Sequence, residues 1–113
     1  DSEISLQDIT PRFMGFLDKL SPYGPGNMRP KFAIRNVEIA GVPKVIGKTG
    51  EHIRFKIKQG LKSYPAVGFG LSNKYEMLIT GQPVDIACVV ETNEWQGNTS
   101  IQMNVRDIKR AVT

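Results

Sequence analysis

Apolar side chains recur at two periods along this chain, and the period changes once. In "SLQDITPRFMGFLDKL", residues 5–20, Ile9, Phe13, Phe16, Leu17 and Leu20 return every three or four positions, which lines one face of a helix. Pro11 lies inside that run. Proline suits a first helical turn, so the spacing predicts a helix that starts with Thr10 as its cap. "LSPYGPGNMRPKF", residues 20–32, ends the helix. Pro25 lacks an N–H, and Gly24 and Gly26 favour turns. Tyr23 in this stretch is expected to pack rather than bind.

From residue 31 the period is two. In "KFAIRNVEIAG" Phe32 and Ile34 point inward, then Val37 and Ile39. That shift predicts a bulge. Gly41 and Pro43 bend the chain, and Val45 and Ile46 continue the same strand. "GKTG" reads as a hairpin turn. "EHIRFKIK" alternates cleanly, with Ile53, Phe55 and Ile57 on one face and His52, Arg54, Lys56 and Lys58 on the other. Gln59-Gly60 turns the chain into a strand "LKSYPAVGFG", which Pro65 places at an edge or bulge. "LSNKYEMLI" is long enough for two helical turns, and Gly81-Gln82-Pro83 breaks it. "VDIACVVE" puts Val84, Ile86, Cys88 and Val90 inward, "NEWQGN" closes a hairpin, and "TSIQMNVRDI" puts Ile101, Met103 and Val105 inward. Three strands, a short helix and two strands give a mainly β chain: a five-stranded OB-fold Greek-key barrel preceded by an N-terminal helix. Residues 1–30 read as helix and Pro/Gly linker from a preceding domain, and 31–113 as the barrel.

Charge sharpens this picture. The net charge is +4, but it is unevenly spread. Lys31 to Lys74 holds nine Lys or Arg against Glu38 and Glu51, a net of +7; the rest holds six basic and nine acidic residues, a net of −3. A concentrated excess points to a polyanion, and single-stranded nucleic acid suits a basic strand face. Side chains two apart on a strand stand about 6.5–7 Å apart, comparable to successive phosphates of an extended single strand. Arg54, Lys56 and Lys58 are thus expected to neutralise phosphates. If Val67 and Phe69 point inward, Lys62 and Tyr64 share that face, and the tyrosine can stack a base. Arg35, Lys44, Lys48, His52 and Trp95 are weaker candidates, their faces being unsettled by the pattern. Trp95 sits in a turn, where the competing role is to fold back and close one end of the barrel. A solvated strand face would show the same alternation as a binding face.

The chemistry of an autonomous enzyme is missing. One His and one Cys cannot supply the three or four N/S ligands of a zinc site. No phosphate-binding glycine motif occurs, and "GFG" at 68–70 reads as a strand end. The scattered carboxylates lack the spacing of a two-metal site. The chain alone is expected to be non-catalytic and to hold no cofactor. With Cys88 as its one cysteine it has no intrachain disulfide, which suits a reducing compartment. No apolar run is long enough to span a bilayer, and no membrane partner is expected.

Four stretches, in order, carry a family resemblance. "LSPYGPGNMRPKF" resembles the L-x-P-[FY]-G-x-G-N-x-x-P-x-F signature of the RecJ family of bacterial single-strand-specific DNA exonucleases. "GEHIRFKI", "PAVGFG" and "ETNEWQGNTSIQMNVRDI" resemble the family's later strands, although Pro65 stands where the family often has an acidic residue. The resemblance covers most of the chain from about residue 10. It implies an OB domain that holds single-stranded DNA beside a separate catalytic core of the same polypeptide. That core would use Asp/His motifs with Mn2+ or Mg2+; none of those motifs occurs here. It implies a bacterial cytoplasmic setting in DNA repair and recombination, with a single-strand-binding protein as a further partner. The breaker stretch would then be the joint between the preceding helix and the barrel. The competing function is a protein-docking or bracing module that meets an acidic partner or the catalytic core.

Overall fold

The computed structural model describes residues 2–19 and 29–112. Its strands are β1 (Ser2–Glu3), β2 (Phe32–Ile46), β3 (His52–Gln59), β4 (Lys62–Gly68), β5 (Val84–Trp95) and β6 (Asn98–Arg110). The last five close into a barrel in the order β2-β3-β4-β6-β5, with β5 pairing back onto β2. That is the five-stranded OB fold read from the pattern. A short helix, α2 (Tyr75–Leu78), joins the third and fourth barrel strands after a 3-10 turn at Ser72–Lys74.

The long strand β2 serves two neighbours because it bends twice. Its first part pairs with β5 and its second with β3. The register shifts between Ile34 and Val37, where the shift in apolar parity requires it, and again between Ala40 and Lys44. Asn36 supplies the first bend with φ of 60° and Gly41 the second with φ of 72°. Left-handed backbone is costly for a residue with a Cβ, and Asp85 holds it in place. Its carboxylate accepts the Asn36 N–H at 2.8 Å and lies 3.4 Å from the Arg35 guanidinium. Asp85 is only 5% exposed, and these two partners offset the cost of burying its charge.

The barrel interior holds Ile34, Val37, Ile53, Phe55, Ile57, Val84, Ile86, Cys88, Val90, Met103, Val105 and Ile108. Most inward positions expected on β2, β3, β5 and β6 are here; Ile39 and Ile101 are only partly buried against this core, and Ile108 is added after a register shift near Cys88. Burial pushes the Cys88 thiol up to about 12, so at neutral pH it is an uncharged, small apolar residue.

Residues 2–19 share this core. Leu6, Ile9 and Leu17 are buried in it. The Leu6 N–H donates to Gln59 Oε1 at 2.7 Å, and Gln7 Nε2 donates to the Gln59 carbonyl at 2.8 Å, tying the segment to the end of β3. Helix α1 (Pro11–Lys19) begins as its cap predicts. Thr10 Oγ1 accepts the Phe13 N–H at 3.1 Å and its carbonyl accepts the Met14 N–H at 2.9 Å. Phe13 packs against Phe32 with ring centroids 5.4 Å apart. Phe16 departs from the expected apolar face and stays exposed. Leu20, Tyr23 and the rest of residues 20–28, including the expected joint, lie outside the described residues.

Beyond the barrel wall, β5 and β6 continue as a two-stranded ribbon, paired from Glu91–Gln102 to Trp95–Asn98. Gln96 and Gly97 turn it with φ of 50° and 83°, the positive pair that a tight hairpin turn needs.

Candidate nucleic-acid interface

Strand β3 builds the site by simple alternation. Ile53, Phe55 and Ile57 fill the core, so Arg54, Lys56 and Lys58 must project outward, and all three are exposed. Paired residues of an antiparallel ladder share a face. Lys44 pairs with Arg54, Ala40 with Lys56 and Glu38 with Lys58 on the β2 side. The second bend of β2 thereby brings exposed Lys44 beside Arg54, resolving a face that the pattern left open. Lys44, Arg54, Lys56 and Lys58 form no ion pair among the described residues. Like charges placed directly opposite each other destabilise a sheet, and an anion lying across the pair would relieve that repulsion. Lys48 is exposed in the turn that joins these two strands.

The β4 side corrects one expectation. Tyr64 pairs with Ile57 and Lys62 with Gln59, so both point to the inner side of the sheet. Lys62 Nζ donates to the Ile9 carbonyl at 2.7 Å, and the Tyr64 hydroxyl lies 3.4 Å from the same oxygen. They anchor the N-terminal segment and do not join the basic face. Ser63 and Pro65 are exposed opposite Lys58 and Lys56, while Val67, in the same phase opposite Arg54, is buried at 7% exposure. Pro65 is tolerated because β4 meets β6 only at Ala66 and Val67, leaving Pro65 on an edge.

Arg35 is likewise not a free cation. Its Nε is 2.8 Å from Glu3 Oε1 and its Nη1 is 3.4 Å from Asp85. The Glu3 hydrogen bond, with the charges of Glu3 and Asp85, raises its pKa further. It staples β1 and β5 to β2. The Trp95 side chain lies outside the described residues.

The parity that sends Tyr64 inward sends Phe69 outward. Phe69 is 58% exposed, an aromatic ring that the pattern assigns to the core. The inward neighbours are small: Ala66 and Gly68. A Cβ at Gly68 would stand 3.0 Å from Leu71 Cδ1 and 3.2 Å from Ile53 Cγ1, so any larger residue would push on both side chains. His52 holds the segment that follows. Its Nδ1 accepts the Gly70 N–H at 2.8 Å, its Nε2 is 3.1 Å from Glu51 Oε1, and its ring meets Phe69 edge-on at 5.3 Å. Its role here is positional. The Thr49 hydroxyl, joined by the Thr49 N–H, donates to the Glu51 carboxylate and holds it below the usual carboxylate range. The turn therefore contributes stability above that range, and loses it as pH falls through the lowered value.

The face offers cations in a row, polar groups and one exposed ring. It can neutralise a chain of anions and stack a planar group; it holds no nucleophile–base pair. Among the described residues no group of three or more His, Cys, Asp or Glu is placed to hold a metal ion; the divalent metal implied by the sequence resemblance is expected in the separate catalytic core. No helix among the described residues is long and apolar enough to cross a membrane.

This geometry has relatives. Residues 1–107 match the RecJ OB domain. The single-stranded-DNA-specific exonuclease RecJ of Bacillus subtilis (strain 168) is 26% identical over 107 residues, covering 95% of this chain and 14% of that protein. RecJ from Thermus thermophilus, solved in complex with Mn2+, superposes with a TM-score of 0.63 at 20% identity, over 91% of this chain and 14% of that one. A small single-stranded DNA-binding protein from Streptomyces coelicolor superposes with a TM-score of 0.56 at 16% identity, over 75% of this chain and 95% of that one. The chain thus spans about one seventh of the length of its RecJ relatives, and it belongs to the RecJ OB domain family.

Proposed function

We propose that this domain holds single-stranded DNA by its sugar-phosphate backbone, as the non-catalytic grip of a RecJ-like 5′→3′ exonuclease. The observation that carries the reading is the unpaired row Lys44, Arg54, Lys56 and Lys58 on the outer face of β2 and β3. Outer strand faces are where OB barrels take oligonucleotides. The names of the Bacillus and Streptomyces relatives, both single-strand-directed, favour this ligand over duplex. In this reading hydrolysis, with its Mn2+ or Mg2+, belongs to other domains of a longer polypeptide.

A second reading is that the barrel braces that polypeptide or docks a single-strand-binding protein. It is favoured by Phe16 and Leu61, which remain 62% and 103% exposed.

Fluorescence anisotropy of a labelled single-stranded oligonucleotide, titrated with this chain at low salt, separates the two. Single strands are expected to bind several-fold more tightly than a duplex of equal length. Equal affinity for duplex would contradict single-strand selectivity, and no binding to either would favour the bracing role.

A further inference from the structure

Phe69 is a large apolar ring that the core leaves out, yet its surroundings are ordered. His52 meets it edge-on at 5.3 Å and is itself held by the Gly70 N–H and by Glu51. Strand register says what stands beside it. Val67 is level with Asn104 across the parallel β4–β6 pair. Phe69 follows β4 directly, and Arg106 is the extra residue where the β5–β6 register shifts between Ala87 and Cys88; both are exposed. Asn104 and Arg106 have no side-chain partner among the described residues. The three residues border a recess of about 260 Å3. That is below the roughly 300–1,000 Å3 of pockets that enclose whole drug-sized ligands, and it suits one flat heterocycle. The row Lys44–Arg54–Val67–Asn104 runs straight across β2, β3, β4 and β6 into this recess.

We propose that Phe69, Asn104 and Arg106 form a subsite for one unpaired nucleobase. The Phe69 ring stacks on the base, and the Asn104 amide and Arg106 guanidinium meet its edge. A base within a duplex is stacked and paired and cannot lie on the ring, so the subsite adds single-strand selectivity that phosphate contacts lack. The inference rests on the proposed DNA grip and adds to it a place for the base.

The test compares two labelled single strands of equal length, oligothymidylate and an oligomer whose sugars carry no bases, on the wild-type chain and on Phe69→Ala and Phe69→Tyr. Wild type is expected to prefer oligothymidylate at least about fivefold, the lower end of measured base–aromatic stacking. Phe69→Ala loses that preference while keeping its affinity for the baseless strand, and Phe69→Tyr keeps both. Because the ring is mostly exposed, Phe69→Ala should retain its fold, which circular dichroism checks. A preference that survives in folded Phe69→Ala, or equal binding of both strands by wild type, overturns the subsite and leaves the backbone grip standing. Failure of wild type to bind either strand overturns the grip and the subsite together.

Discussion

Replacing Arg54 and Lys56 together by glutamate lowers single-strand affinity by about 100-fold or more at low salt. Each phosphate neutralised on a single strand contributes a salt slope of about −0.7, which at about 50 mM salt is roughly 0.9 of a log unit in affinity. Losing two contacts removes nearly two log units, and reversed charge adds repulsion of the DNA beside Lys44 and Lys58. Both side chains are exposed and make no ion pair among the described residues, so folding should be untouched. Anisotropy reads the affinity, and a thermal melt confirms the fold. Unchanged affinity in the folded double variant would remove β3 from the site. The corresponding change at Lys62 is expected to act through stability instead, since its ammonium is committed to the Ile9 carbonyl.

The second large effect concerns the fold. Leu6→Ala should cost about 2–5 kcal/mol, the range for leucine truncation in a packed core. Leu6 is 0% exposed and its N–H is bound to Gln59, so its truncation leaves a cavity where the N-terminal segment meets β3. Domains of this kind are stable by about 5–15 kcal/mol, so the melting temperature should drop by roughly 10 °C or more. Chemical denaturation measures the loss. A change below about 0.5 kcal/mol, the scale of surface substitutions, would show that residues 2–19 do not belong to the barrel's cooperative unit.

The two strands that frame the site differ in how openly the sequence displays them. From Ile53 to Lys58, β3 alternates bulky apolar and charged residues, so its two faces can be assigned from the pattern alone. β4 does not. Tyr64 and Ala66 are apolar in one phase, Val67 and Phe69 in the other, and a one-residue error in phase exchanges every side chain between faces. The larger residues suggest the wrong phase. The deciding facts are tertiary: the inner layer at Gly68 is tight against Ile53 and Leu71, and the N-terminal segment offers the Ile9 carbonyl to Lys62 and Tyr64.

The same limit hides the exposure of Phe69 and reveals Lys44 beside Arg54 only through pairing. The bulge at Asn36 is visible because the apolar positions Ile34 and Val37 break parity, whereas its anchor, Asp85, lies 49 residues from Asn36 and leaves no local signal. The full length of the β5–β6 ribbon is not legible because Thr92–Glu94 and Asn98–Ser100 are exposed; a polar strand without a core has no hydrophobic period.

A grip on the phosphate backbone is electrostatic, so binding must weaken as salt rises. Anisotropy titrations of a single-stranded oligonucleotide across a salt series should give log K falling linearly with log salt at a slope of about −2 to −3, the value for three to four neutralised phosphates. That number matches Lys44, Arg54, Lys56 and Lys58 with Glu38 nearby. A slope near zero, or no binding at the lowest salt, would contradict the claim that this face grips a DNA backbone.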